Sequence, residues 1–278
     1  MINRRQRKNN YILHVVLVLL AAVTLYPFIF TFITSFKDNE QFYKHFWSLP
    51  NPWLFVNYKA VSKQILPYIG NSIFIATGSI LGVLLIASMA AYAFARLRFP
   101  GKNTLFITIL ALLMIPSLLQ LIPRFLLLKR ARLLNTYLGI ILGYWGGQLS
   151  FSIFIIRSFF DTQPEELFEA ARIDGCRELK CYTHIALPLI KPALGTVTIN
   201  VLLAVWNDYL WPLVVTSDSS HFTIAVGLMQ LKAVFENTTV EWGPLFAGYC
   251  VSAAPLVILF FFLMNSFIEG LTAGAIKM

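Results

Sequence analysis

Residues 161–192 read DTQPEELFEAARIDGCRELKCYTHIALPLIKP, a charged and capped stretch set between apolar runs long enough to cross a bilayer. Pro164 suits the first position of a helix, where its missing N–H costs nothing, and Glu165 and Glu166 complement the positive end of the helix dipole. Leu167, Phe168, Ala170, Ala171 and Ile173 recur at three- and four-residue spacing and predict one short apolar face. Gly175 falls where a left-handed C-terminal cap is wanted. A second helix runs from about Cys176 to Ile185, before Pro188 and Pro192 restart the chain into the next apolar run. Two short helices at right angles, displayed on a loop between membrane spans, read as a docking surface. The alternative is an amphipathic helix resting on lipid headgroups.

The flanking sequence sets the class. Of 278 residues, 58% are hydrophobic and only 13% charged, too few charges to cover a soluble domain of this size. Several uninterrupted apolar stretches of about twenty residues predict an all-α polytopic membrane protein. The formal charge of +9 does not indicate nucleic acid, because the basic residues gather at the ends of spans and form no stripe with aromatics between. Cys176, Cys181 and Cys250 are odd in number and support neither a disulfide framework nor a metal site.

Six spans are expected at about residues 11–36, 70–94, 103–123, 136–157, 192–215 and 243–268, in one transmembrane domain. The docking loop occupies 161–191 and a tail occupies 269–278. The first run is too long for a signal-peptide core and no small-residue cleavage site comes after it, so it reads as a retained span. Arg4, Arg5, Arg7 and Lys8, with Arg96, Arg98 and Lys102, place both termini in the cytoplasm, since early loops dominate orientation. Lys129, Arg130 and Arg132 fall outside and run against that rule. Residues 37–67, 124–135 and 216–242 are expected as external segments, with Asn135 and Thr136 capping the fourth span.

The docking stretch also carries a resemblance. Glu169-Ala170-Ala171, then Gly175, Ile185 and Leu187-Pro188 at their spacing, is similar to the "EAA" pattern of permease subunits of ATP-binding-cassette importers. AAYAFARLRFPGK ending the second span, LLNTYLGIIL, WNDYLWPL and the terminal GLTAGAIK resemble the six-span partner of maltose-permease-type carbohydrate importers. The resemblance covers nearly the whole chain. It implies a type I ABC importer permease fold in a bacterial plasma (inner) membrane. It implies alternating access that moves a sugar or oligosaccharide inward. The implied partners are a second permease subunit in a heterodimer, two ATPase subunits, an extracytoplasmic sugar-binding protein and membrane lipid, with no nucleic acid. No cofactor belongs to this chain; ATP and Mg sit on the ATPase subunits.

Four candidate sites stand out. For ATPase coupling they are Glu169, Ala170, Ala171, Asp174, Gly175, Leu187 and Pro188; a small Ala170/Ala171 face packs closely, and Gly175 permits a sharp reversal. The tail residues Gly270, Leu271, Thr272, Ala273 and Gly274 are too weakly helical to stand alone; the resemblance implies contact with the paired ATPase subunits, against a frayed terminus. Polar groups inside apolar spans face the bundle interior. Asn71, Tyr144, Trp145, Gln148, Asn200, Trp206, Asn207 and Asp208 would supply the hydroxyl partners and flat surfaces a sugar needs, or else anchor at the interface and cap helices. Phe222, Thr223, Ile224 and Gly227 lie in an apolar stretch outside the spans. The resemblance implies that this stretch meets the binding protein; a re-entrant segment is the alternative.

No G-x-x-x-x-G-K-[ST] loop, H-E-x-x-H or nucleophile elbow is present, so the chain reads as a transport subunit and not an enzyme. An importer of another solute shares the docking pattern. A secondary transporter is disfavoured because Asp208 is the one acidic residue well inside an expected span.

Overall fold

The computed structural model describes residues 4–236 and 241–275, and every regular element among them is helical. In chain order these are α1 (Arg4–Thr34), α2 (Asn39–Lys44), α3 (Val56–Arg96), α4 (Lys102–Ala111), α5 (Leu121–Arg130) and α6 (Tyr137–Phe160). Then come α7 (Glu166–Ile173), α8 (Glu178–Leu189), α9 (Lys191–Asn207), α10 (Leu210–Val215), α11 (Ile224–Glu236) and α12 (Trp242–Ala275). Four helical stretches are long and apolar enough to cross a membrane: Leu13–Thr34, α3, α6 and Trp242–Phe262. Two bent pairs, Lys102–Met114 with Ser117–Arg130 at 102° and α8 with α9 at 76°, bring the number up to six if each pair is one span.

The helices distribute over two compact units, residues 1–66 with 228–255, and 67–227 with 256–278. In the first unit, the segment expected as a polar loop is folded. Lys37 is buried and donates to the carbonyls of His45 (2.9 Å) and Phe46 (2.8 Å), closing the C-terminal end of α2. The Asn57 amide donates to the carbonyls of Ser35 and Lys37, both at 2.9 Å, and the Phe42 and Trp242 rings stack at 4.9 Å. α3 therefore begins at Val56, well before residue 70, because Val61 and Ile65, one turn apart, are fully buried and pack beside Gly248.

The second unit carries the docking loop and two interrupted spans. The span expected over 103–123 breaks at Ile115-Pro116. Proline offers no N–H and forces its predecessor to extend, and Ile115 sits at φ −83°, ψ 115°. Instead of a loop from residue 124, the chain forms α5, ended by left-handed Arg132 (φ 59°) and Asn135 (φ 56°). Thr136 does cap α6, accepting from the Gly139 N–H at 3.0 Å. The span expected over 192–215 breaks at Asp208, whose carboxylate accepts from the N–H groups of Leu210 (2.9 Å) and Trp211 (3.3 Å) and so starts α10 afresh. The backbone expected as a non-helical tail continues α12 through Ala275.

Candidate functional site

The docking loop is built from its caps. α7 starts at Glu166, so Pro164 lies outside the helix and not at its first position; Glu166 and Glu169 fill the first turn instead. Its end is a Schellman arrangement: the Cys176 N–H reaches the Ala171 carbonyl (2.9 Å) and the Gly175 N–H that of Arg172 (3.0 Å), with Gly175 at φ +79°. α8 starts at Glu178, not Cys176, and runs to Leu189 through a π turn over Tyr182–Ala186.

The apolar residues of α7 do not form one face. Phe168 is fully buried, while Leu167 and Ile173 point away from the chain's own core, Ile173 at 86% exposure. Leu179 on α8 is exposed beside them in sequence and Ala170 is exposed as well. Five apolar side chains at helical spacing could satisfy one face, but here only Phe168 turns inward, Ala171 is half-buried, and Leu167, Ala170 and Ile173 stay exposed. Of the predicted coupling residues, Glu169, Asp174, Gly175 and Pro188 are exposed, and Ala171 and Leu187 half-buried.

The inner side is held by α3 and α6. The Arg96 guanidinium donates through Nη2 to the carbonyls of Phe160 (2.6 Å) and Gln163 (2.7 Å) and lies 4.3 Å from the Phe168 ring centroid. Tyr92 donates to Glu178 Oε2 (2.7 Å), Arg172 Nε donates to Glu178 Oε1 (2.9 Å), and the Ser88 and Tyr182 hydroxyls are 2.7 Å apart. Acceptance from Tyr92 and Arg172 holds the Glu178 carboxyl below its ordinary value of 4.5.

Where the two interrupted spans break, a cleft of about 480 Å³ opens, lined by Ser117, Gln120, Arg124, Tyr144, Gln148, Asp208 and Trp211 among apolar residues. Arg124 is fixed by donation to the Gly143 carbonyl and to Gln120 Oε1, both at 3.1 Å, and lies 5.7 Å from the Trp211 ring centroid. Trp211 in turn donates to the Ile140 carbonyl at 3.1 Å and fills the space a side chain at Gly143 would take. Among the described residues Arg124 Nε has no hydrogen-bond partner, while the buried Tyr144 hydroxyl faces Asp208, whose carboxylate interacts with both side chains. The cleft thus offers donors, acceptors and a flat indole beside apolar walls.

Residues 82–272 match the family described as the binding-protein-dependent transport system inner membrane component. The chain belongs to that family. It is 31% identical to the diacetylchitobiose uptake system permease protein NgcG of Streptomyces coelicolor, over 89% of this chain and 82% of that one. It is 32% identical to the arabinooligosaccharides transport system permease protein AraQ of Halalkalibacterium halodurans, over 96% of each. The crystal structure of a bacterial ABC transporter involved in the import of the acidic polysaccharide alginate contains a chain that superposes with a TM-score of 0.83. That match has 24% identity and covers 96% of this chain and 99% of that one. The likeness gives this inner membrane component an ABC importer permease fold.

Within this component, three of the eight residues expected along a substrate path, Tyr144, Gln148 and Asp208, meet at the cleft. The other five do not. Asn71 donates to the carbonyls of Ser220 (2.8 Å) and Phe222 (3.0 Å) and accepts from Tyr137, which makes it a loop anchor. Trp145 donates to the Gly78 carbonyl at 3.2 Å and occupies the space beside Gly82. Trp206 is buried, Asn200 is exposed, and exposed Asn207 donates back to the Leu203 carbonyl of its own helix. Arg124, Ser117, Gln120 and Trp211 were missed as a group. Pro116 inside one apolar run and Pro212 after Asp208 in another were the available signals, since a broken span leaves polar backbone that must line a cavity.

Of the stretch expected to meet a binding protein, Thr223 and Ile224 are buried at 1% exposure each and Gly227 packs against the Tyr68 ring. Of the four expected residues only Phe222 is partly accessible, and fully exposed residues lie just before it, at 217–220. The helical backbone includes Gly270, Leu271, Thr272, Ala273 and Gly274.

Proposed function

We propose that this inner membrane component is one half of a permease heterodimer in an ABC importer of oligosaccharides, with both termini cytoplasmic and cargo delivered by an extracytoplasmic binding protein. The single observation that carries the ATPase reading is Ile173. An isoleucine at 86% exposure on a charged, capped loop costs free energy unless a partner covers it, and Leu167 and Leu179 are further exposed apolar residues on the same loop. Two ATPase subunits hold ATP and Mg; the chain's sequence has no phosphate-binding loop of its own. The cargo class is supported by the relatives named for diacetylchitobiose and arabinooligosaccharides. The cleft fits it, since an indole face beside buried hydroxyl, amide and guanidinium groups suits a sugar ring.

The mechanism uses differential fit. Closure of the nucleotide-bound ATPase pair moves the loops docked on it, and the spans follow between inward- and outward-open forms. The test is reconstitution with the partner permease, ATPase and binding protein, scoring a panel of neutral and acidic oligosaccharides by stimulated ATP hydrolysis and by uncoupler-insensitive uptake. Uptake driven by an ion gradient with no ATP dependence would refute it.

A further inference from the structure

Ser88, Tyr92 and Arg96 stand at i, i+4 and i+8 on the last turns of α3, and therefore on one face. Each holds a different part of the docking loop. Ser88 meets Tyr182 in the π turn of α8. Tyr92 donates to Glu178 at the start of α8, and Glu178 is tied to Arg172 at the end of α7. Arg96 stacks on Phe168, the one buried side chain of α7, and binds the last carbonyls around the end of α6. A cation there also meets the negative end of the α6 dipole. α7 has eight residues, too few to persist as a helix without packing. Its position is therefore the position of this stripe.

We infer that Ser88, Tyr92 and Arg96 form the transmission rail of the permease, the contacts through which movement of the docking loop is imposed on α3 and so on the membrane-spanning part of the same unit. This rests on the loop being the ATPase dock. Tyr92 and Arg96 are positioning residues: they touch neither cargo nor nucleotide. The chemistry suits the task. Arg96 links two segments through a planar cation with bidentate reach, and Tyr92 and Glu178 form a short charge-assisted bond that resists shear better than apolar contact. A loop tethered only by apolar packing would slide; one pinned at three successive turns moves with its helix.

The experiment uses the complete assembled transporter in proteoliposomes, with thiol labelling of Ser117→Cys in the cleft read at that residue by mass spectrometry. ATP with vanadate traps the ATPase pair closed, and in the parent protein the labelling rate changes. Arg96→Gln and Tyr92→Phe are expected to trap vanadate and nucleotide as before. Their change in labelling is expected to shrink about tenfold, the size of a typical coupling between sites. Glu178→Gln should shrink the response at least as much as Tyr92→Phe, because it also weakens the tie to Arg172, and the double variant should lose less than the sum of the two, because they share the Tyr92–Glu178 bond. An unchanged labelling response in both single variants overturns the rail. So does loss of trapping in proportion to loss of response, which would mean that the stripe only holds the loop together. Failure of the docking reading is separately visible: Ile173→Glu would then leave the ATPase subunits bound.

Discussion

Phe168→Ala should release the docking helix while leaving the spans intact. Phe168 is fully buried and is the one residue α7 commits to the chain's interior. Truncating a buried phenylalanine costs about 3–5 kcal/mol in transfer and cavity terms, and the lost stacking with Arg96 adds about 0.5–2 kcal/mol. The site lies at the edge of the fold, where neighbours can collapse into the space, so the lower end applies. About 3 kcal/mol raises the population of the opened loop by about 150-fold. The assay is hydrogen exchange on the permease in nanodiscs, resolved by peptide. Amides of residues 167–175 should lose about two decades of protection, while those in the middle of α6 keep theirs, because α6 is capped by Thr136 and packed along its length. Unchanged protection in the loop would refute the claim that Phe168 anchors it. Equal loss in α6 would refute the claim that the loop opens as a separate unit.

A Cβ at Gly175 meets no neighbouring atom, so the cost of Gly175→Val is set first by the left-handed backbone, at least about 1–2 kcal/mol; membrane insertion should be normal and ATP-driven uptake abolished, with Gly175→Asn retaining part of it. Gly143→Val would drive a methyl group into the Trp211 ring and cost at least about 1–3 kcal/mol by overpacking, read as a lowered Tm and a shifted tryptophan emission. Tyr144→Phe removes a buried hydroxyl that meets Asp208 within the chain, so Tm should change little while uptake falls about fivefold, the value of about 1 kcal/mol for one hydrogen bond to cargo. The Glu178 carboxyl titrates below its ordinary value, so the unfolded loop binds the more protons. Its stabilisation of the loop is full above the unfolded carboxylate value and is lost as pH falls through the lower folded value. Loop protection should therefore drop on acidification below the ordinary value of 4.5 and do so less in Glu178→Gln.

Much of the site was written in local signals. Gly175 could be assigned to a left-handed cap because a helix end requires it, and Thr136 to an N-cap because its hydroxyl answers an orphan N–H. Both are satisfied within a few residues, so neither depends on what packs nearby. Phe168 and Ile173 could not be separated in this way. Both fit a 3.6-residue apolar pattern, and Phe168 turns inward against Arg96 and Tyr92, more than 70 positions earlier in the chain. The same holds for Asn71 and Trp145, polar-capable residues inside apolar runs that serve the chain's own loops and helix contacts.

From the order of its residues alone, this protein is a helical membrane component with a capped, charged two-helix loop, because helix caps, apolar run lengths and charge at span ends act over short range. Where two of its spans are interrupted, which polar groups meet at the cleft, and which turns of α3 grip the loop were set by tertiary structure. Those outcomes join residues far apart in sequence. In a medium without water, a broken helix finds its hydrogen-bond partners only on the segments that fold against it.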